Sequence, residues 1–528
     1  MRVLIASLLV ILVCSCGRKA VVPEERVLNI SFAAEVRTLD PRLGGENPTA
    51  HLIRMLFDGL MRRDKNGVTA PAVAESYVIS EDFKTYTFTL RKTYWSDGKP
   101  VTAYDFEYAW KKSLDPKMLS HGAQDFYFIK NAKRSVEGKV SVDEVGVRAL
   151  DDQTFEVELE YPVPYFLEVL GCTLFYPIPK HLDEQDPSWV HNINEKFISN
   201  GPFKLKRWKR GDFITVEKNP YYWDQEHVHL AKIRVSFIQD GMTQVYMYEK
   251  NKLDWLGAPV NKIPPEVKKS LKLDPSYASV PSPMVYWFFL NSEVFPFNNK
   301  KIRQALSYAI NRNDIVDHIF EGSVLPALGI VAPCYELGNS PCFEDGNLEE
   351  AKKLFDEALV ELELMRETFP PITIRHPSGI ETLIRSGQAV QQLWQETFGI
   401  KVSLQQTDWP VHFTAIQKGD YQIGMMGWIS FAGDPIYMLQ TFKYKNDMVN
   451  MSNWESQEYI ELLEASNFEA DPEKRNQILI AAEKVLMDEM PIIPICYLGM
   501  DFSKKPELIG VNLPSSGEID FKFASFSQ

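Results

Sequence analysis

Between Ile372 and Trp428 the chain alternates helical and extended hydrophobic spacing across short joints, and this alternation restricts the fold more than any other stretch. Ile372 to Arg375 reads as a short strand, Ile380 to Phe398 as a helix stopped by Gly399, and Ile400 to Gln406 as a second strand. Pro410 to Lys418 then reads as a helix opened by Asp408 or Trp409, and Tyr421 to Trp428 as a buried strand. Strand, helix, strand, helix, strand is the pattern of a parallel sheet joined by crossover helices. Ligands of such sheets gather beyond the carboxyl ends of the strands. Here those ends are Arg375-His376, Gln406-Thr407-Asp408-Trp409 and Trp428-Ile429-Ser430, so the pattern by itself points to a cleft.

A chain of 528 residues exceeds one typical domain, and two or three compact units are expected. Its formal net charge of −14 disfavours nucleic acid or an anionic membrane surface as partner, since both call for a basic field. Arg2, the apolar run Val3 to Val13 and the small-residue end Val13-Cys14-Ser15-Cys16 form an export signal too short to span a bilayer. Those last four residues resemble a bacterial lipobox, which implies a signal peptide over 1–15 and a lead over 16–26 carrying a lipid on Cys16. Ordinary cleavage, with Cys16 left as a spare thiol, is the other reading. Cys334 and Cys342 flank a short loop containing Gly338 and Pro341; in an oxidising compartment they form a disulfide or stay as two free thiols. Cys172 and Cys496 read as isolated core thiols, and no cysteine grouping has zinc spacing.

Upstream, Leu28 opens a strand, Thr49 to Leu56 reads as a helix, and Asp64 to Gly67 turns a hairpin. In Thr85 to Arg91 the residues Tyr86, Phe88 and Leu90 alternate with threonines, as in a strand with one buried face. Thr102 opens a helix as a capping box with Asp105, with Phe106, Trp110 and Leu114 at helical spacing before Asp115-Pro116. A strand turning at Glu137-Gly138 and another over Thr154 to Leu159 follow, and Pro162 and Pro164 delay the next helix until Tyr165. Asn299 to Asn311 and Asn313 to Phe320 read as a helix pair in which Lys301 and Arg303 are solvated. A longer helix spans Leu348 to Arg366, with Leu354, Phe355, Ala358, Leu362 and Met365 on one face.

The order and wording of Ala74 to Pro116 closely resemble the signature of the family 5 extracytoplasmic solute-binding proteins, which include oligopeptide, dipeptide, nickel and haem binders. Phe57-Asp58-Gly59-Leu60, in which Asp58 replaces the family's usual Glu, and Pro177 to His181, Ser199 to Asp224, Asn298 to Val316 and Met490 to Tyr497 resemble the family's stretches in its order. The resemblance implies an α/β, two-lobed periplasmic-binding-protein fold with hinge and cleft and an extra inserted domain, of the class II/cluster C type. By that analogy lobe one takes residues 27–70, 197–282 and 498–528, the inserted domain 71–196, and lobe two 283–497, with hinges near Ser282 and Tyr497.

Gly427 to Pro435 resembles the family stretch in which an aspartate pairs with a peptide's α-ammonium and a tryptophan lines a pocket. Trp428 matches that tryptophan and Trp409 a second one, whereas Phe431 stands where the aspartate is expected. A buried ammonium left without its carboxylate costs roughly 3–5 kcal/mol, so Asp58 and Asp434 are the first candidates for a replacement acid. The expected ligand-binding residues are therefore Trp409, Trp428, Ile429, Ser430, Phe431, Asp434 and Asp58. Met425 is added as adaptable lining, and Arg375, His376 and Arg385 as holders of a ligand carboxylate. His227 and His229 place two imidazoles on one face of an extended segment, with solvation as the default reading and no metal or other cofactor expected.

In functional terms the resemblance implies the binding component of an ABC transporter: monomeric, lipid-anchored on the extracytoplasmic side, taking an oligopeptide and handing it to permease and ATPase subunits. The alternatives are another cargo (cell-wall peptide, haem or chelated nickel), an exported hydrolase, or a structural lipoprotein. Neither Gly-x-Ser-x-Gly nor His-Glu-x-x-His occurs.

Overall fold

The computed structural model describes residues 26–43, 47–118, 122–335, 337, 341–429, 433–446 and 449–527. Three sheets carry most of it. The first joins Leu28–Phe32, Lys232–Phe237, Phe213–Lys218 and Phe203–Lys209 in that spatial order, with the outer pair parallel and the rest antiparallel. A second four-stranded antiparallel sheet takes Ala74–Ile79, Thr85–Leu90, Thr154–Glu158 and Val147–Ala149. Tyr86, Phe88 and Leu90 are buried as the alternation requires, and Ala103–Ser113 packs on this sheet as a helix. Asp105 closes its first turn by accepting from the Thr102 backbone N–H at 2.8 Å.

The third and largest sheet is seven-stranded. Its spatial order runs Trp255–Gly257, Ile492–Lys504, Tyr277–Leu290, Ile423–Ile429, Ile372–Pro377, Val402–Thr407, with Leu325–Pro326 added beside Ile492–Lys504. Ile372–Pro377 pairs in parallel with both Val402–Thr407 and Ile423–Ile429, as the alternating pattern predicts. The crossovers are the helices Glu381–Phe398, ended by Gly399 at φ 70°, and Trp409–Gln417, preceded by Asp408, whose Oδ1 accepts from Ser378 Oγ at 2.8 Å instead of capping the helix. Gly424 is glycine for contact reasons: a Cβ there would sit 2.3 Å from the Phe289 ring and 2.8 Å from Ile416 Cδ1. One hydrophobic core lies beneath Glu381–Phe398 and takes in Met425, while Met426 belongs to the larger core on the opposite face.

Tyr277–Leu290 and Ile492–Lys504 cross the molecule as long antiparallel partners whose register breaks between Pro281 and Val285, opposite Gly499 and Tyr497. Elsewhere the structure corrects several sequence expectations. Where a strand is expected before Glu137-Gly138, Ala132–Val136 is a short helix, because Ala132 and Val136 at i, i+4 both turn onto the core. The helix from Leu348 ends at Glu361, since Glu363 adopts φ 54°, which leaves Met365 exposed instead of on the apolar face. Arg303 is not solvated: it is buried and donates from Nε and Nη2 to the Glu489 carbonyl at 2.9 and 2.6 Å and from Nη1 to the Phe297 carbonyl at 2.8 Å. Lys301 does reach solvent, pairing with Glu357 and Glu361.

Candidate ligand-binding site

The carboxyl edge of the parallel strands decides which side chains can meet a ligand. Arg375 lies level with Gln405 and Gly424, and neighbours in register on parallel strands share a face while side chains alternate along each strand. Arg375, Thr407, Met426 and Trp428 therefore occupy one face, beneath the helix Trp409–Gln417. His376 and Met425 occupy the other. Trp428 is half-buried opposite Val285, and Ile429 is half-buried opposite Met284. Trp409 stands 47% exposed at the head of its helix, stacked on Phe413 at 5.8 Å. Ser430 and Phe431 lie outside the described residues, as does Cys16.

The remaining expected site residues divide by what already holds them. Asp58 is fully buried: Tyr222 Oη donates to it at 2.8 Å, Trp223 Nε1 at 3.0 Å and Arg62 Nη1 at 3.3 Å. That corrects its place as a replacement acid, because a carboxylate with donors on both oxygens and no solvent has nothing left for a ligand ammonium. Asp434 is corrected for the same reason. Arg475 grips it with two bonds of 2.8 and 2.9 Å, and its Oδ1 also accepts from the Ile436 N–H at 2.9 Å. Met425 is packed in the core, and Arg385 is an exposed helix residue donating to the His318 carbonyl at 3.0 Å. His376 is buried, with Nδ1 3.2 Å from the Pro377 carbonyl.

Arg375 differs from all of these. It is 8% exposed, and among the described residues its side chain has no ion pair and no hydrogen bond, with Nε sealed from solvent. On the same sheet face Thr407 Oγ1, and on the helix above it His412 Nδ1, are likewise buried without partners among the described residues, while His412 Nε2 lies 3.1 Å from the Met425 carbonyl. Burial, together with the charges of Arg375 and His376, pushes the His412 imidazole down to about 4 against the pull of that carbonyl, so it is neutral at pH 7.

Other side chains reach the same region without any signal in the sequence. At Gly433 a Cβ would lie 3.1 Å from Arg63 Nη2 and 3.3 Å from Glu168 Oε2, so this turn abuts the Arg63 and Glu168 side chains. Tyr165 and Tyr437 meet edge to face at 5.2 Å just beyond it. No short-range pattern marks these contacts, because each joins segments far apart in the chain.

Among the described residues the cysteines, Cys172, Cys334, Cys342 and Cys496, are free. Cys334 turns to Ser515 and Cys342 packs beside Glu483, so the disulfide reading of this pair is corrected. Cys342, Glu483, Gly329, Leu325, Pro333 and Tyr497 help line a cavity of about 270 Å³. Glu483 Oε1 accepts from the Ile330 and Val331 N–H groups at 2.7 and 2.8 Å. Burial nevertheless raises its carboxyl above the usual range against those two bonds. A raised native value means that the stability Glu483 contributes is full below the ordinary glutamate pKa of about 4.3 and fades as pH rises through the native value. Glu483→Gln keeps the acceptor without the charge. It is expected to melt a few degrees above wild type at pH 8 and level with it at pH 4, measured by scanning calorimetry.

His227 closes a 3-10 turn over Gln225–His227 instead of lying on a strand, so the paired-imidazole geometry with His229 is not formed. Its Nδ1 is 2.5 Å from Asp224 Oδ1, and Asp224 Oδ2 is taken by Lys522 at 2.6 Å.

A mixed α/β body of several sheets, with two long strands paired in the largest of them and Trp409 and Trp428 at its strand-end site, has the architecture of a two-lobed binding protein. The chain belongs to the bacterial extracellular solute-binding proteins, family 5, whose model matches residues 69–450. It is 37% identical to the oligopeptide-binding protein OppA of Bacillus subtilis over 94% of this chain and 92% of that one. It is 32% identical to the dipeptide-binding protein DppE of the same organism over 96% and 93%. Among solved structures, the unliganded open form of the murein tripeptide-binding protein MppA superposes with a TM-score of 0.81 at 26% identity, covering 94% and 95% of the two chains. Haemophilus influenzae OppA in complex with RPPGFSPFR gives 0.73 at 27% identity, covering 95% and 98%.

Proposed function

We propose that this chain captures oligopeptides between its two lobes and delivers them to the membrane permease of an ABC transporter, acting as a binding protein and not as an enzyme. The observation that carries this reading is the 37% identity to an oligopeptide-binding protein along nearly the whole of both chains. The strand-end site supports it, since Trp409 and Trp428 offer indole surface beside extended backbone that a peptide can line. On this reading lobe one comprises 27–70, 197–282 and 498–528, the inserted domain 71–196 and lobe two 283–497. The register break at Pro281/Val285 against Gly499/Tyr497 supplies the hinge. The chain acts as a monomer on the extracytoplasmic side, held to a membrane by lipid on Cys16. Murein peptide is a second cargo reading, favoured by the likeness to MppA.

Incubating purified protein with a defined peptide pool and measuring the retained fraction by mass spectrometry tests both readings. Intact peptides recovered in stoichiometric amount are expected. New fragments accumulating at catalytic rates would instead mark a hydrolase, and retention of muropeptides alone would move the cargo to cell wall.

A further inference from the structure

The carboxylates around the segment Gly433 to Tyr437 follow one rule with one departure. Asp434 is gripped by Arg475. Glu168 accepts from Thr69 Oγ1 at 2.6 Å and faces Arg63 Nη1 at 3.7 Å, and Glu518 pairs with Arg54 at 2.6 Å and with Arg63 at 3.4 Å. Asp125 has no ion pair, and its side chain has no hydrogen bond, among the described residues.

The place of Asp125 is nonetheless fixed. Ala123–Phe126 is a 3-10 turn in which the Asp125 N–H donates to the Gly122 carbonyl at 3.0 Å and the Tyr127 N–H to the Gln124 carbonyl at 3.1 Å. Ala123 and Phe126 are buried, and the Phe126 ring meets Trp110 at 5.8 Å and Phe175 at 4.5 Å. Seating those two residues inward turns Gln124 and Asp125 out to solvent. The surface there is a recess and not an open face. The charge of Asp125 bears on Cys172 and on Tyr437, which follows Gly433 in the chain. The protein around it raises its carboxyl to about 6, with no donor or cation opposing. A solvent-open recess that holds an uncompensated acid suits a cation arriving from outside. The Tyr165 and Tyr437 rings, 5.2 Å apart, add aromatic surface that favours a cation over a neutral group. Phe431 brings no acid to the same stretch of chain, and Asp58 and Asp434 are held elsewhere.

Resting on the peptide reading above, we propose that Asp125, in the segment read as the inserted domain, receives a primary ammonium of the bound peptide in the recess it shares with Cys172 and Tyr437. The acid that selects for positive charge in this protein thus comes from a turn some three hundred residues before Phe431, and not from the loop after the Trp428 strand. The ammonium is that of the chain start or that of a lysine side chain; both present the same charge and the same three N–H donors to the carboxylate.

The test is isothermal titration with two matched pairs of peptides. Ala-Phe-Ala-Ala and propionyl-Phe-Ala-Ala differ only in the α-ammonium, and propionyl-Lys-Ala-Ala and propionyl-norleucyl-Ala-Ala only in the side-chain ammonium. Wild type is expected to favour the charged member of at least one pair by at least about tenfold, and the pair in which it does so identifies the source of the cation. In Asp125→Asn that preference is expected to shrink to within about threefold, and Asp125→Glu, which keeps the charge, should retain part of it. A preference that survives intact in Asp125→Asn overturns the assignment, as does a wild type indifferent to the ammonium in both pairs; in either case the peptide reading still stands. Failure of wild type to bind any of the four peptides overturns the peptide reading and this inference with it. Ligand-free Asp125→Asn is expected to melt at or slightly above the wild-type temperature, because the carboxylate has no partner to lose. A marked drop would make Asp125 a structural residue and overturn the proposal.

Discussion

Asp520→Asn is expected to lower the unfolding free energy by about 3–5 kcal/mol, among the largest effects available to a single substitution in this protein. Asp520 receives Arg62 Nε at 2.8 Å and Nη2 at 2.9 Å, and both residues are buried. Arg62 also donates from Nη2 to the Arg54 carbonyl at 2.8 Å and from Nη1 to Asp58. The pair ties the C-terminal segment to the Met61–Arg63 strand near the start of the chain, so losing the charge on Asp520 takes away the bidentate partner of a buried guanidinium at a long-range junction and leaves it the single 3.3 Å contact to the Asp58 carboxylate. Burial works to raise the Asp520 carboxyl, but Arg62 outweighs it and holds the group below its usual value. With a depressed native pKa, its contribution is full above the unfolded value of about 3.9 and is lost as pH falls through the native one. Urea unfolding followed by tryptophan fluorescence should therefore show the full difference at pH 7 and a shrinking one below pH 4. A loss under about 1 kcal/mol at pH 7 would sink the idea. Arg62→Met added to Asp520→Leu should recover only part of it: apolar replacement of both partners removes their desolvation cost, but buried Asp58 loses its cation and keeps only Tyr222 and Trp223 as donors.

How far the sequence can be followed depends on how far apart the interacting residues stand. The parallel unit from Ile372 to Ile429 is legible because each crossover is local and each period is carried by adjacent residues. The capped helix after Thr102 and the alternating strand at Tyr86, Phe88 and Leu90 are legible for the same reason. The pairing of Tyr277–Leu290 with Ile492–Lys504 is not, since no local period says which distant strand a strand will join. Charged residues are least legible. Arg303 looks like a solvated helix position and is buried; Asp58 and Asp434 look like available acids and are each held by donors. Arg375 is visible as a basic residue at a strand end, but that it lacks a partner among the described residues depends on what the fold leaves around it. The family match, by contrast, rests on ordered motifs spread along the chain, and so it is readable where the cleft chemistry is not.

Asp434→Asn is the second large expectation, because it joins stability to binding. The residue follows directly on Gly433, which abuts Arg63 and Glu168, and precedes Tyr437, which meets Tyr165. Its carboxylate is fixed by Arg475 on the helix Pro472–Glu489, whose Nε is itself held by the Ser466 carbonyl at 3.2 Å. The segment from Gly433 to Ile436 is thus tied by a bidentate pair to the helix Pro472–Glu489. Removing the charge leaves Arg475 buried with one weak partner, and a loss of about 3 kcal/mol in unfolding free energy is expected. Peptide affinity should fall at least tenfold, because a site displaced by a fraction of its contact distance forfeits its aligned partners. Asp434→Asn with Arg475→Met separates the two effects: the buried charge is gone, so stability returns toward wild type, while the turn remains untethered and binding stays weak. Urea denaturation of each variant, with calorimetric titration of a peptide recovered from the wild-type protein, measures both. If the double variant regains affinity along with stability, the pair is only a structural brace; if affinity stays low while stability recovers, Asp434 is a positioning residue that acts on the ligand through the turn it anchors.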